Sequence, residues 1–307
     1  MATYTGTAVS IFSKLSSLVA VPWYGIKARY RRFRITQQAT RLLGPQYVRS
    51  RDAIEIDITY VCNLRCMNCN RSITQAPEKE HMPLGMIEDF VRDSIAQNKR
   101  WRVIRVLGGE PTLHPRFLDI IQALRKYRQF APDCSIQVVS NGYGKAVKAM
   151  LEKIPADVVI ENSAKDGNVQ PAFGPFNMAP ADDPAFRAAD YANGCSIMTE
   201  CGMGLTPSGY YQCAVAGGID RLIGKQLGYA TLPADSDDMI ALSRELCRLC
   251  GHFKDGHMIP AALRPPLLEE PKSEAWVKIY ADWKRHKRSL RTTEQDETQR
   301  AQAGSRA

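Results

Sequence analysis

Between Ile54 and Ile160 the apolar residues recur with two alternating periods. Ile54, Ile56 and Ile58 interleave with Glu55, Asp57 and Thr59, the two-residue period of a strand whose faces differ in character. Met86, Ile87, Phe90, Val91 and Ile95 then follow helical spacing. The alternation continues with a strand over 103–107 and a helix over 117–130 whose stripe is Phe117, Ile120, Ile121, Leu124 and Tyr127. A strand over 136–140, a helix over 145–154 and a strand over 158–160 complete the run. Strands and helices alternating at this pitch predict parallel βα units. About four units are clear, too few for a closed eight-fold barrel.

The regular texture stops near Ser163. Pro171, Pro175, Pro180 and Pro184 punctuate a polar stretch that reads as a linker or lid. A cysteine-rich module follows, with a hairpin over 203–213 turning at Pro207-Ser208-Gly209 and carrying Tyr210 and Tyr211 on its second strand. Trp276, Ile279, Tyr280 and Trp283 share one helical face and predict a helix that docks back. Beyond Leu290 the chain is polar and is expected to be disordered. The division that results is a basic N-terminal extension (1–51), a βα domain (52–190), a cysteine-rich module (191–260), a docking helix (261–290) and a tail (291–307). There is no internal repeat.

Charge changes the picture at the N-terminal end. The formal net charge is +9. Residues 1–51 contain no Asp or Glu and nine cations, Lys14, Lys27, Arg29, Arg31, Arg32, Arg34, Arg41, Arg49 and Arg51. The excess therefore lies in one arm on a neutral body, which suggests a docking segment and gives no reason to expect DNA as a partner. Ile11, Phe12, Leu15, Leu18 and Val19 oppose Ser10, Ser13, Lys14, Ser16 and Ser17, so 9–21 reads as an amphipathic helix. Trp23, Tyr24 and the basic run 27–34 follow it. The segment suits either a helix packed on the body or contact with an anionic membrane surface; an acid-free transit peptide and an RNA tether are further readings. No run of eighteen apolar residues offers a membrane-spanning helix.

Nine cysteines, an odd number in tight groups, do not make a secreted disulfide framework. They point to a reducing, cytoplasmic setting, compatible with a place at the membrane periphery, where clustered thiols hold metal. Cys62, Cys66 and Cys69 form C-x3-C-x2-C directly after the first strand. Three thiolates so spaced can hold a cubane iron–sulfur cluster and leave its fourth iron without a protein ligand. Zinc is the competing reading, but it wants a fourth ligand and only His81 follows nearby. Cys195, Cys201, Cys213, Cys247 and Cys250 form a second group, suited to another cluster or to zinc with His252 or His257. Cys134, alone at a strand start, reads as a small buried hydrophobe.

The triplet at the end of the first strand strongly resembles the radical S-adenosylmethionine superfamily. So does Gly108-Gly109-Glu110-Pro111 after the second strand, with Ser140-Asn141-Gly142 after the third and Glu161 at the end of the fourth. The resemblance covers roughly 54–163 and implies a partial (β/α)6-type TIM barrel with a small C-terminal auxiliary-cluster module. It implies a [4Fe–4S] cluster on Cys62, Cys66 and Cys69, and S-adenosyl-L-methionine held by Gly108, Gly109, Glu110, Pro111, Ser140, Asn141 and Glu161. Asn68 stands where the family often has an aromatic residue that touches the adenine. The second cysteine group is similar to SPASM modules and their shortened twitch form, which implies a second [4Fe–4S] cluster. The implied activity is hydrogen-atom abstraction by a 5′-deoxyadenosyl radical, with an electron supplied by a flavodoxin- or ferredoxin-type donor. The expected substrate is a hydroxyl-bearing small molecule such as a sugar or cyclitol, with peptide modification as the alternative. No proton acceptor is singled out; Lys165, Glu161 and Tyr60 lie near strand ends but read as solvated surface groups.

Overall fold

The computed structural model describes residues 22–67, 69–165, 176–255 and 272–304. The amphipathic stretch 9–21, Asn68 and His257 lie outside the described residues. Helix α1 occupies 22–34 and α2 Gln37–Leu43. The βα run follows: β1 (Ala53–Thr59), α3 (Leu84–Ala96), β2 (Val103–Gly108), α4 (Phe117–Tyr127), β3 (Ser135–Ser140), α5 (Lys145–Leu151) and β4 (Val159–Asn162). The C-terminal part contains α6 (Ile197–Glu200), β5 (Met203–Thr206), β6 (Gly209–Tyr211), α7 (Ala214–Ile223), α8 (Ile240–Leu246), α9 (His252–Asp255) and α10 (Glu274–Gly304).

One six-stranded open sheet has the order β4-β3-β2-β1-β5-β6. Strands β1 to β5 run parallel and β6 returns antiparallel to β5. The two-residue period sets its faces. Ile54, Ile56, Ile58, Ile104, Val106, Ile136 and Val138 are buried in one core with Ile87, Phe90, Ile120, Ile121, Leu124 and Tyr127 of α3 and α4. The alternate positions, among them Glu55, Asp57 and Arg105, form a polar inner face. This is the partial barrel expected, with its sixth strand reversed. β4 is exposed along its length and leaves that edge open.

The hairpin assigned to a separate module joins the main sheet, with Ile54 opposite Met203 and Ile56 opposite Leu205. A buried strand cannot leave the polar groups of its second edge unpaired, and β5 satisfies those of β1. Gly204 makes room for this arrangement, because a Cβ there would overlap the backbone of Ala214 at the start of α7. α10 docks as its apolar face predicts: Trp276 and Tyr280 are buried, and the Trp276 indole donates to the Leu249 carbonyl. Its backbone stays helical through Gly304, where disorder was expected. The run 291–303 has no Pro or Gly and is rich in Glu, Gln, Arg and Ala, which sustain a helix already nucleated by the docked turns.

The inner face of β1 carries two buried carboxylates that need a counter-charge. Arg71, in the segment after the cysteine triplet, provides it. Its guanidinium lies 2.8 Å from Glu55 Oε2 and 3.0 Å from Asp57 Oδ2, and the two carboxylates hold it firmly charged. Replacing Arg71 with Met leaves both carboxylates buried without their partner, so denaturant titration of the metal-free chain is expected to show a loss of about 3–5 kcal/mol. That loss shrinks as pH falls, beginning above the ordinary carboxylate range because burial raises Asp57, and protonated Asp57 no longer requires the cation.

Candidate functional site

Cys62, Cys66 and Cys69 lie on the loop that leaves the C-terminal end of β1. Parallel α/β sheets place ligands at such ends. The loop is held by its neighbours. The Leu64 N–H faces Cys62 Sγ at 3.4 Å, the Thr74 hydroxyl donates to the Cys66 carbonyl, and the Gln75 amide to that of Met67. From α7, Arg221 donates to the carbonyls of Arg71 and Ala76 and to Glu78. From α10, the Tyr280 hydroxyl meets Ser72 Oγ at 3.0 Å. Burial pushes the Cys62 thiol up to about 11 and raises Cys66, the latter opposed by Lys165.

The glycine pair after β2 brings main chain against this loop. Gly108 has φ +133°, and a Cβ on it would strike the Thr59 carbonyl; one on Gly109 would strike that of Val61. The Gly109 and Glu110 amides donate to those same carbonyls, so the turn is tied to the start of the cysteine loop. Pro111 is buried and opens the short helical turn that follows.

Glu110, expected among the cofactor-binding residues, has several partners within the chain. It is fully buried, and its carboxylate accepts from the Thr112 amide and hydroxyl, the Ser140 hydroxyl and the Asn141 amide. The carboxylate thus ties β2 to β3. Ser140, also buried, serves the same clamp. Asn141 is what the clamp aims: its side-chain amide is 3.9 Å from Cys62 Sγ and donates to Asn63 Oδ1 at 2.9 Å.

Two side chains read as solvated surface take different places. Lys165 brings its Nζ to 4.0 Å from Cys66 Sγ, and its amide bonds the Asn141 carbonyl. Tyr60 is buried beneath the Arg221 guanidinium, 4.5 Å from the ring centre, and burial raises its phenol well above the ordinary value. Glu161 is exposed and pairs at 2.8 Å with Arg105 on the inner face. The signal for Lys165 was its position just past a parallel strand's C-terminal end. Asn63 gave none beyond lying between cysteines.

The structure sorts the second cysteine group. Cys195, Cys213, Cys247 and Cys250 are all buried and line one interior gap with Gln212, Leu246 and Phe253. Burial, then the neighbouring thiols, raises Cys213 and Cys250 well above the ordinary thiol value, and burial raises Cys247 to about 12. Cys201 does not line this gap. It closes α6 just before β5 and lies among Glu55, Arg105 and Arg71. Cys134 is buried in the main core, as expected.

The donor chemistry bears on what these sites would hold. Among the described residues, no three His, Cys, Asp or Glu side chains converge as a single metal ion requires. His81 instead meets Thr59 Oγ1 at 2.9 Å and the edge of His114, and His252 packs near Phe176. Four thiolates on one zinc crowd around a bond length of about 2.3 Å. A cubane places each thiolate on a different iron and so spaces them wider. Three thiols beside close-approaching glycine backbone suit a cluster with one open iron; four buried thiols suit a closed one.

Glu110→Gln tests the clamp. Each carboxylate oxygen faces a backbone N–H, so either orientation of the amide sets an NH2 against a donor. Denaturant titration of the metal-free chain is expected to show a loss of about 3 kcal/mol, against about 1 kcal/mol for Ser140→Ala.

The Radical SAM superfamily profile matches residues 56–159. GTP 3',8-cyclase of Nautilia profundicola is 29% identical over 104 residues, which are 33% of this chain and 31% of that enzyme. GTP 3',8-cyclase of Helicobacter pylori strain J99 is 25% identical over 140 residues, 41% and 42% of the two chains. The match thus spans about a third to two-fifths of those relatives' length. Among solved structures, BtrN in complex with AdoMet and 2-DOIA aligns with a TM-score of 0.42 at 12% identity, covering 70% of this chain and 99% of that one. Streptococcus suis SuiB bound to precursor peptide SuiA aligns with a TM-score of 0.28 at 18% identity, over 36% and 23%. The profile match takes in the cysteine triplet and both strand-end turns, and it identifies a radical SAM domain over residues 56–159 of the chain.

Proposed function

We propose that the chain is a radical S-adenosylmethionine oxidoreductase with two [4Fe–4S] clusters that oxidises a hydroxyl-bearing small molecule, a sugar or cyclitol. The observation that carries this reading is the sorting of seven thiols into two sets, Cys62, Cys66 and Cys69 at the end of β1 and Cys195, Cys213, Cys247 and Cys250 around one interior gap. Cys62, Cys66 and Cys69 would hold the cluster that binds S-adenosylmethionine, which would supply hydrogen-atom abstraction from a hydroxyl-bearing carbon, and Cys195, Cys213, Cys247 and Cys250 would hold a second cluster, which would supply an acceptor for the electron released when that alcohol is oxidised to a ketone. The electron that starts the reaction is assigned to a flavodoxin- or ferredoxin-type donor.

The chain's own residues hold and shield. Lys165 and Asn141 set a cation and an amide donor beside the first thiols, which favours their charged form. Gly108 and Gly109 let the turn close against the Thr59 and Val61 carbonyls, beside the place assigned to the methionine part of the cofactor, and Glu110 and Ser140 fix that turn against Asn141. On the inner face, Arg105, Glu55, Gln137 and Glu161 offer polar partners suited to a hydroxyl-rich substrate. The similarity to GTP 3',8-cyclases is confined to about a third to two-fifths of their length and supports the shared radical chemistry; it does not carry GTP over as substrate.

Iron and sulfide counting on anaerobically purified, reconstituted protein tests the assignment. About eight irons are expected in the wild type, falling to about four in Cys62→Ala/Cys66→Ala/Cys69→Ala. Cys213→Ala/Cys250→Ala is expected to retain about four, whereas Cys201→Ala retains the full count. Zinc retained in the triple variant, with iron near zero, would replace the second cluster by a structural zinc site.

A further inference from the structure

Helix α1 is held to the body by one face and leaves another without a partner among the described residues. Arg31 and Arg34 are its buried anchors. The Arg31 guanidinium donates to the Phe253 carbonyl at 2.9 Å, to Gln46 Oε1 at 2.6 Å and to the Gly194 carbonyl, and stacks 4.7 Å over the Phe253 ring. Arg34 donates to the Gly44 carbonyl at 2.8 Å, which folds the end of α2 back beside α1.

The outward face carries Trp23, Ile26, Tyr30 and Phe33. Their spacing of three, four and three residues confines them to about 80° of the helix surface at roughly 100° per residue. All four are 56–64% exposed. Lys27 and Arg29, both exposed, fall about 40° beyond the two edges of this stripe. Isolated exposed apolar residues are ordinary, but a continuous stripe of two aromatic rings, an indole and an isoleucine marks an interaction surface.

We infer that this face of α1 docks on an anionic lipid surface, with the stripe at the headgroup boundary and Lys27 and Arg29 on lipid phosphates. Two observations favour lipid over another occupant. Trp and Tyr beside cations at both stripe edges match the layering of a bilayer interface, apolar toward the acyl chains and charged toward the headgroups. A second copy would bring this acid-free segment against itself, cation to cation, with no Asp or Glu anywhere in 1–51 to compensate. Contact with the surface is peripheral: among the described residues, no helix is long and apolar enough to cross a membrane.

Co-sedimentation of the full-length, cluster-reconstituted chain with vesicles tests this, using phosphatidylcholine alone and phosphatidylcholine mixed equally with phosphatidylglycerol. Binding is expected to the mixed vesicles, and to be weak on the neutral ones. Lys27→Gln/Arg29→Gln is expected to weaken it about 30-fold, from two cations at roughly a factor of five each. Trp23→Ser/Phe33→Ser, which keeps every charge, is expected to weaken it at least about 10-fold. All four positions are exposed, and unchanged iron content checks that the variants are folded. Equal binding to both vesicle types, or none to either, overturns the proposal from the wild type alone. So does mixed-vesicle binding that survives Trp23→Ser/Phe33→Ser, which would assign the contact to another segment. Dimerisation without lipid that Phe33→Ser abolishes would make a second copy the occupant. Tight, salt-sensitive binding to single-stranded RNA that outcompetes the vesicles would make it nucleic acid.

Discussion

The carboxylate of Glu110 is the point on which the candidate site turns. Parallel strands are hydrogen-bonded along their length, but each ends in a loop whose direction the sheet does not fix. Here one buried carboxylate takes donors from the turn after β2, from the last residue of β3 and from the residue that follows it. Asn141 is thereby aimed at Cys62 and Asn63, and the cysteine loop is itself tied to the glycine turn through the Thr59 and Val61 carbonyls. Three strand ends become one unit. A buried carboxylate demands several donors, and that demand makes the unit rigid.

Much of this was legible in the chain, because local periodicity carries it. Alternating isoleucines on β1 and the stripes of α3 and α4 require no partner to be read, and the cysteine spacing announces itself. What was missed depends on long-range pairing. The clamp at Glu110 is of this kind: a carboxylate in a glycine turn faces a cofactor as readily as it faces a neighbouring strand, and nothing local to it announces the donors of Ser140 and Asn141. Tyr60 and Lys165 read as surface groups because Arg221 and the cysteine loop, which cover them, come from distant sequence. Cys195 and Cys201 could not be ranked from spacing. A four-residue helix and the entry into β5 send the second toward Glu55 and leave the first with Cys213, Cys247 and Cys250.

The same logic explains why the C-terminal module is not an appendage. β1 needs a partner on each edge, and β5 is the one on its far side. Once β5 is in place, α7 crosses it closely over Gly204, and Arg221 on α7 reaches the carbonyls of the cysteine loop. The loop with the first three thiols therefore rests on the element that begins at Cys213. Loss of order at the second thiol set would reach the first through α7, without any change in the residues that line it.

The N-terminal arm enters this framework through Arg31. Its guanidinium holds the carbonyls of Gly194 and Phe253, one next to Cys195 and the other three residues past Cys250. α1 is thus a strut of the second thiol set as well as the carrier of an exposed apolar stripe. A buried guanidinium that satisfies several carbonyls cannot be withdrawn without leaving those acceptors unpaired. Deleting the arm would therefore disturb the thiol set as well as remove the stripe, and the two effects separate only when Arg31 is kept and the outward residues alone are changed. By the same connection, any surface that fixes the orientation of α1 fixes that of the second thiol set with it.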